Sequence, residues 1–278
     1  MVSSIHTNAA AMSALQQLAR TNSELETTQG RISTGYKVAG ARDDSSVFAV
    51  AQNMRGDISA LTSVQTSLNR ANSITDVALA GGEAISDLLV QMRAVAVAAT
   101  DPSIDGVARA AYNNDFRSFL EQIATIVNEA EFDGANLING SLTNGIAFLA
   151  DADATSALTV DTENMSLSGS IVTLATTASL GTTTQASAVV GALSASLDNV
   201  NAALGRLGAK ANRLDTHAGF VQKLADSLTS GVGNLVDADL SKESARLQAL
   251  QVKQQLGVQA LSIANQNPQT ILSLFQGG

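Results

Sequence analysis

Cysteine is absent from the 278 residues, which excludes disulfides, thiol chemistry and cysteine-based zinc sites. Tryptophan is also absent, only two prolines occur, and aromatic residues make up 3% of a chain that is 45% hydrophobic. A core built in this way from Ala, Leu, Val and Ile favours long helices that pack side by side.

Basic residues are scarce: the chain has 16 Lys and Arg residues against 25 Asp and Glu residues, and its net charge is −9. A nucleic-acid partner is not expected, because phosphate binding needs a basic face. Residues 164–197 carry no charge, but Ser, Thr and Gly interrupt them, so no membrane partner is expected either. The N-terminus lacks the basic and apolar regions of a cleavable signal peptide.

Candidate catalytic and metal-binding residues are few. The two histidines, His6 and His217, lie far apart in the sequence, and no metalloprotease, phosphate-loop or nucleophile-elbow motif occurs. The acidic pairs near Asp151 and Asp237 lack the glycine and glutamate of a calcium loop. We therefore expect no catalytic residue, no metal and no cofactor, and interpret the chain as a non-enzyme.

Hydrophobic residues repeat with alternating spacings of three and four, from Ala51 to Ala99 and from Leu193 to Leu235. Such a heptad pattern predicts a mainly α fold, a long-helix coiled-coil rod. Gln65 and Asn72 interrupt the first seam and are expected to fix its register. Alternating apolar residues predict a β-hairpin over about 146–162.

Both ends of the chain carry apolar stripes, which we predict to pair with each other and to form an assembly interface. The residues assigned to this interface are Ile5, Met12, Leu15, Leu18, Leu25, Ile32, Leu247, Leu250, Leu261, Ile263 and Leu272. The Ser- and Thr-rich residues 165–187 are expected to form a short variable tip.

The stretch RISTGYKVAGARDD interrupts two helical patterns. Gly35 suits a helix C-cap, and Asp43 is expected to start the next helix with Asp44 in its first turn. We interpret the stretch as a structured joint rather than a catalytic cluster. The residues assigned to this joint are Arg31, Gly35, Lys37, Arg42, Asp43 and Asp44. In the Ser- and Thr-rich tip, the candidate O-linked glycosylation sites are Thr177, Thr182, Thr183 and Thr184.

Several motifs in the same order as in the family make the chain resemble bacterial flagellin, the subunit of the flagellar filament. They are Ile5-His6-Thr7-Asn8, RISTGYKVAGARDD, Phe132-Asp133-Gly134, Asn212-Arg213-Leu214 and Ala264-Asn265-Gln266-Asn267-Pro268-Gln269. The resemblance covers about 1–162 and 190–275, and the short chain is similar to alphaproteobacterial flagellins that lack large outer domains.

The resemblance implies an inner terminal coiled-coil domain (1–42 and 236–278), a rod domain with the hairpin (43–164 and 188–235) and the short tip between them. It also implies that the RISTGYKVAGARDD joint links the two domains and contacts neighbouring subunits. The expected role is an extracellular filament subunit that polymerises with copies of itself or with paralogous flagellins. The resemblance further implies export in an unfolded state through the flagellar type III apparatus, a chaperone at the C-terminal segment, and hook-associated junction and cap proteins as neighbours. Two alternatives remain at this point: a hook–filament junction protein and a soluble coiled-coil adaptor or chaperone.

Overall fold

The computed structural model describes the backbone of residues 7–276 and the side chains of residues 7–266. Over that range the chain forms five helices and one two-stranded sheet. The elements are α1 (Ala9–Thr34), α2 (Ser45–Ala99), α3 (Gly106–Glu129), β1 (Ile146–Leu149), β2 (Ala157–Val160), α4 (Thr183–Val236) and α5 (Leu240–Gln276). The predicted mainly α fold with a small hairpin is confirmed.

The chain divides into two compact units. One unit combines the two ends of the chain, up to Gly56 and from Ser227 onward, and the other comprises Asp57–Asp226. Both long helices, α2 and α4, contribute residues to each unit.

In the terminal unit, α1 begins and ends with side-chain and glycine caps. The Asn8 side chain accepts a hydrogen bond from the backbone N–H of Ala11, which satisfies one of the free amides of the first turn. At the other end, Gly35 adopts a left-handed conformation with φ of 75° and its N–H donates to the carbonyl of Arg31. The predicted Gly35 cap is confirmed. Glycine suits this position because it adopts the left-handed conformation without steric cost.

The start of α2 differs from the prediction by one residue. Asp44, not Asp43, caps the helix, because its Oδ1 accepts from the backbone N–H groups of Ser46 and Val47, both at 3.0 Å. The Asp43 carboxylate instead accepts from the N–H groups of Ala39 and Gly40 in the preceding turn. The assignment of Asp43 as the helix start is therefore wrong.

In the second unit, the inward positions of the helices form a continuous apolar core that matches the heptad seams. Its largest fully buried side chains are Leu68, Ile74, Ile85, Leu89, Met92, Phe116, Ile123, Leu137, Ile138, Met165, Leu174 and Leu180. Gly82 lies at a close approach within α2, because a Cβ there would stand 2.7 Å from Leu204 Cδ2 and 3.2 Å from Met165 Cε. The helix runs through this point without a break.

The hairpin pairs β1 and β2 in antiparallel register, with Phe148 opposite Leu158. Phe148, Leu158 and Val160 are buried, as the alternation of apolar residues predicts. The segment from the hairpin to α4 is irregular, and buried Met165, together with Ile171, Val172, Leu174 and Leu180, anchors it to the core.

Candidate assembly interface

The two terminal helices pack against each other in an antiparallel arrangement. Near the start of α1, Asn8 Nδ2 donates to the carbonyl oxygen of Ala264 at 2.8 Å, and farther along α1, Gln254 Nε2 donates to Asn22 Oδ1 at 2.8 Å. At Gly257 an added Cβ would lie 3.2 Å from Leu18 Cδ1, so the missing side chain allows a close approach. These contacts define the register of the helix pair.

The pairing divides the predicted interface residues into two groups. Leu250 is only 3% exposed. The half-buried members are Leu18, Leu25, Ile32, Leu247 and Leu261. Met12 and Leu15 are exposed by 57% and 56%, and Ile263 is exposed by 63%. Ile5 and the Leu272 side chain lie outside the described residues. The stripe therefore has an inward part covered within the chain and an outward part that is open.

Sequence reasoning missed a second exposed apolar stripe on α5. Val252, Leu256 and Val258 are more than half exposed although they are aliphatic. Val252, Leu256 and Ile263 follow each other at spacings of four and seven, which places them on one helix face. This periodicity is visible in the sequence, where it runs beside the inward stripe of the same helix. The terminal unit thus presents a continuous apolar face on α5 in addition to Met12 and Leu15.

Backbone hydrogen bonds hold the joint together. The carbonyl of Val236 accepts from the N–H groups of Lys37, at 2.7 Å, and Val38, at 3.2 Å. The N–H of Ala238 donates in turn to the carbonyl of Gly35 at 2.8 Å. The segment between α1 and α2 is therefore tied to the segment between α4 and α5, with Val38 and Val236 buried beneath them.

An ion pair lies beside these backbone bonds. Arg31 Nη1, in the last turn of α1, is 3.2 Å from Glu243 Oε1 in the first turn of α5. The other predicted basic residues of the joint, Lys37 and Arg42, are exposed, and neither forms an ion pair within the part of the chain that the structure describes. The structure thus brings the joint residues together, but they are held by backbone hydrogen bonds and one ion pair.

The groups that could perform chemistry are dispersed. His217 Nε2 is hydrogen-bonded to the carbonyl of Ala150 at 2.7 Å, and its ring lies 6.0 Å from that of Phe220. Glu163 makes two hydrogen bonds of 2.6 Å to the Arg206 guanidinium and raises the arginine pKa above its ordinary value. Among the side chains described, those of residues 7–266, no three His, Cys, Asp or Glu residues are grouped as metal ligands.

The candidate glycosylation sites lie near the start of α4. Thr177, Thr182 and Thr184 are exposed, whereas Thr183 is half-buried as the first residue of the helix. The Thr182 hydroxyl also accepts from the N–H of Gln185 at 3.2 Å. A glycan on Thr182 would therefore occupy a hydroxyl that contributes to the helix start.

Comparison with known proteins identifies the family to which the chain belongs. The family described as the bacterial flagellin N-terminal helical region matches residues 5–143, and the bacterial flagellin C-terminal helical region matches residues 189–275. The chain belongs to the bacterial flagellin family. This flagellin is 47% identical to flagellin FljK of Caulobacter vibrioides over 275 residues, 99% of each chain. It is 37% identical to a flagellin of Brucella melitensis, over 99% of this chain and 100% of the relative.

Solved structures share the fold of this flagellin at lower identity. The crystal structure of Bacillus cereus flagellin gives a TM-score of 0.51 at 19% identity and covers 56% of this chain and 88% of that one. A putative flagellar hook-associated protein from Vibrio parahaemolyticus gives 0.59 at 14% identity and covers 70% of this chain and 100% of that one. At such identities the likeness concerns the fold alone. The choice between the alternatives rests on the relatives of known sequence instead. Because this chain is 47% identical to a flagellin over its full length, the flagellin assignment is favoured over a hook–filament junction protein or an adaptor.

The resemblance found in the sequence is confirmed, including its short alphaproteobacterial type. As a flagellin, the chain is a structural subunit of the bacterial flagellar filament, which is an extracellular assembly. None of the helices over residues 7–276 combines the length and the apolar character that a bilayer crossing requires.

Proposed function

We propose that this flagellin polymerises through the outward apolar faces of its paired terminal helices. The observation that carries the proposal is the open stripe on a helix pair whose inner contact is already filled by Leu250 and its neighbours. Since α1 and α5 cover each other's inward residues, Met12, Leu15 and Ile263 have to be buried by other copies of the chain. A contact between different faces does not close and builds a helical polymer.

The joint from Arg31 to Asp44 is proposed as a hinge and as a further contact between subunits. The exposed charges of Lys37 and Arg42 support this role, because they are available to acidic groups on a neighbouring copy. On this view the inner terminal domain comprises residues 1–42 and 236–278, and the joint connects it to the helices of the second domain.

The remaining parts of the proposal rest on family membership. The subunit is exported unfolded by the flagellar type III apparatus, and a chaperone covers its C-terminal apolar segment beforehand. In the filament it meets paralogous flagellins, junction proteins and cap proteins. Its role is mechanical and non-enzymatic. The resemblance of this chain to several flagellins of one organism supports mixed filaments.

The test is polymerisation after removal of denaturant, followed by electron microscopy. The double variant Met12→Ser with Ile263→Ser is expected to keep the helical content of the wild-type monomer and to form no filaments. Leu250→Ser is the contrasting variant, because it disturbs the inner contact and lowers the helical content of the monomer itself. Filaments formed by the double variant at the wild-type concentration would refute the proposed interface.

A further inference from the structure

Two Asn-Gly dipeptides, Asn139-Gly140 and Asn144-Gly145, lie in the loop that leads into β1. Asparagine before glycine is chemically unstable, because the backbone nitrogen of the next residue can attack the side-chain carbonyl. Glycine has no Cβ to hinder this attack and allows the backbone conformations that it needs. The reaction is slowed where hydrogen bonds hold the asparagine side chain and its backbone in another geometry.

The fold restrains the first dipeptide. Asn139 Oδ1 accepts from the N–H of Ser141 at 2.8 Å, and the Asn139 N–H donates to Asn136 Oδ1 at 2.9 Å. Its carbonyl oxygen accepts from the Ser166 hydroxyl at 3.1 Å, and the residue is half-buried. These hydrogen bonds restrain both the side chain and the backbone of Asn139, and they have to break before its carboxamide carbon can approach the Gly140 nitrogen.

The second dipeptide lies in a bend and carries no such restraints. Asn144 is exposed, and neither its side-chain amide nor the Gly145 N–H has a hydrogen-bond partner among residues 7–266, whose side chains are described. The nucleophile and the electrophile of the reaction are thus both unprotected, in a loop open to water.

We propose that Asn144 is a site of spontaneous deamidation. The Gly145 nitrogen bonds to Asn144 Cγ, loses its proton, and the side-chain nitrogen leaves as ammonia, which closes a five-membered succinimide. Water then adds to either ring carbonyl and breaks one of the two C–N bonds. The product is aspartate, or isoaspartate in which the backbone passes through the side-chain methylene. No oxidant or cofactor takes part.

The position of Asn144 gives the reaction a structural consequence. Gly145 has a φ of 71°, and a Cβ added to it would clash with the backbone oxygen of Val160. Isoaspartate lengthens the backbone by a methylene directly before this close contact, so it displaces the start of β1 from its pairing of Ile146 with Val160. Both products also place a new negative charge on a chain whose net charge is −9.

The experiment uses the full-length folded monomer at mildly alkaline pH in water labelled with heavy oxygen, followed by proteolysis and mass spectrometry. Label is expected at Asn144, with conversion about fivefold or more faster than at Asn139, as expected for the loss of one hydrogen bond worth about 1 kcal/mol. Enzymatic methylation of isoaspartate identifies the rearranged product. In denaturant both dipeptides should react at similar rates.

Asn144→Gln is the matched variant, because its longer side chain closes a six-membered ring far more slowly. It should abolish label at position 144 and leave conversion at Asn139 and the circular dichroism spectrum unchanged. The proposal is overturned if folded protein keeps Asn144 intact while the denatured chain converts. It is equally overturned if Asn139 reacts in the folded protein as fast as Asn144.

Discussion

Arg31 Nη1 and Glu243 Oε1 lie 3.2 Å apart and join the last turn of α1 to the first turn of α5. Glu243 is only 8% exposed, and its second oxygen, Oε2, is buried without a hydrogen-bond partner among the described residues. The carboxylate therefore depends on one ionic donor. A buried charge in this position is destabilising whenever its partner is removed.

Replacing Arg31 tests this dependence. Arg31→Met should lower the free energy of opening of the α1–α5 pair by about 2 kcal/mol, less than for a fully buried pair because the arginine is partly exposed. Amide hydrogen exchange within α1 measures this quantity. In the double variant Arg31→Met with Glu243→Leu, no unpaired charge remains and most of the loss should be recovered. Equal losses in the single and double variants would contradict this account.

Two of the glycines in α2, Gly56 and Gly82, lie in environments that predict opposite effects of an alanine substitution. At Gly56 nothing lies within 4 Å of an added Cβ, so Gly56→Ala should stabilise the helix by up to ~1 kcal/mol. At Gly82 the same change displaces Leu204 and the fully buried Met165, and a net loss of about 1–2 kcal/mol is expected. Urea denaturation of both variants measures the difference. A stabilising effect of Gly82→Ala would contradict this prediction and show that Leu204 and Met165 shift without a net loss of stability.

The polar seam residue Gln65 is expected to reduce stability. Its Oε1 is buried without a partner among the described residues, while Nε2 donates to Asn69 Oδ1 at 3.2 Å. Gln65→Leu should therefore raise the free energy of unfolding by about 1 kcal/mol. Gln222 makes the same type of contact to Asp226 on an exposed surface, so Gln222→Leu should change stability by less than about 0.5 kcal/mol. Equal effects of the two substitutions would exclude the buried acceptor as the cause.

The turn between the strands is expected to be sensitive to acid. A hydrogen bond from the Thr155 hydroxyl, with further bonds from the N–H groups of Ser156 and Thr155, holds the pKa of Asp151 below its ordinary value. Because the folded pKa lies below the unfolded one, this stabilisation is complete above the unfolded pKa. It is lost as the pH falls through the folded pKa.

Amide exchange at Thr155 and Ser156, measured across this acidic range, follows the loss. Asp151→Asn should remove the pH dependence, whereas Asp153→Asn, in the same exposed turn, should retain it. An unchanged acid profile in Asp151→Asn would assign the dependence to another group.

Much of the fold follows from local patterns in the sequence. The heptad spacing defines long helices because it places apolar residues on one side, and the alternation from Ile146 to Val160 defines a hairpin for the same reason. Gly35 is predictable as a cap because a left-handed residue at a helix end is usually glycine. The flagellin motifs identify the family without any structure.

Other features depend on competition between neighbours that a pattern does not resolve. Asp43 and Asp44 are equally good caps in isolation, and Asp44 takes the role because the turn amides of Ala39 and Gly40 engage Asp43. The open face of Val252 and Leu256 was missed because α5 is apolar on two sides, and only the packing of α1 shows which side is covered. The single-donor environment of Glu243 likewise arises from residues 212 positions apart.

The pairing of α1 with α5 imposes an order on folding. The bond from Asn8 to Ala264 spans 256 positions, so the terminal unit is built from the first and the last parts of the chain. A chain that is still being synthesised has no α5, and its α1 has no intramolecular partner until translation is nearly complete. The contacts within residues 57–226 are available earlier and span shorter loops, so this unit can form first. The α1–α5 pair, with the outward face through which we propose that copies polymerise, can therefore form only once the end of the chain is available.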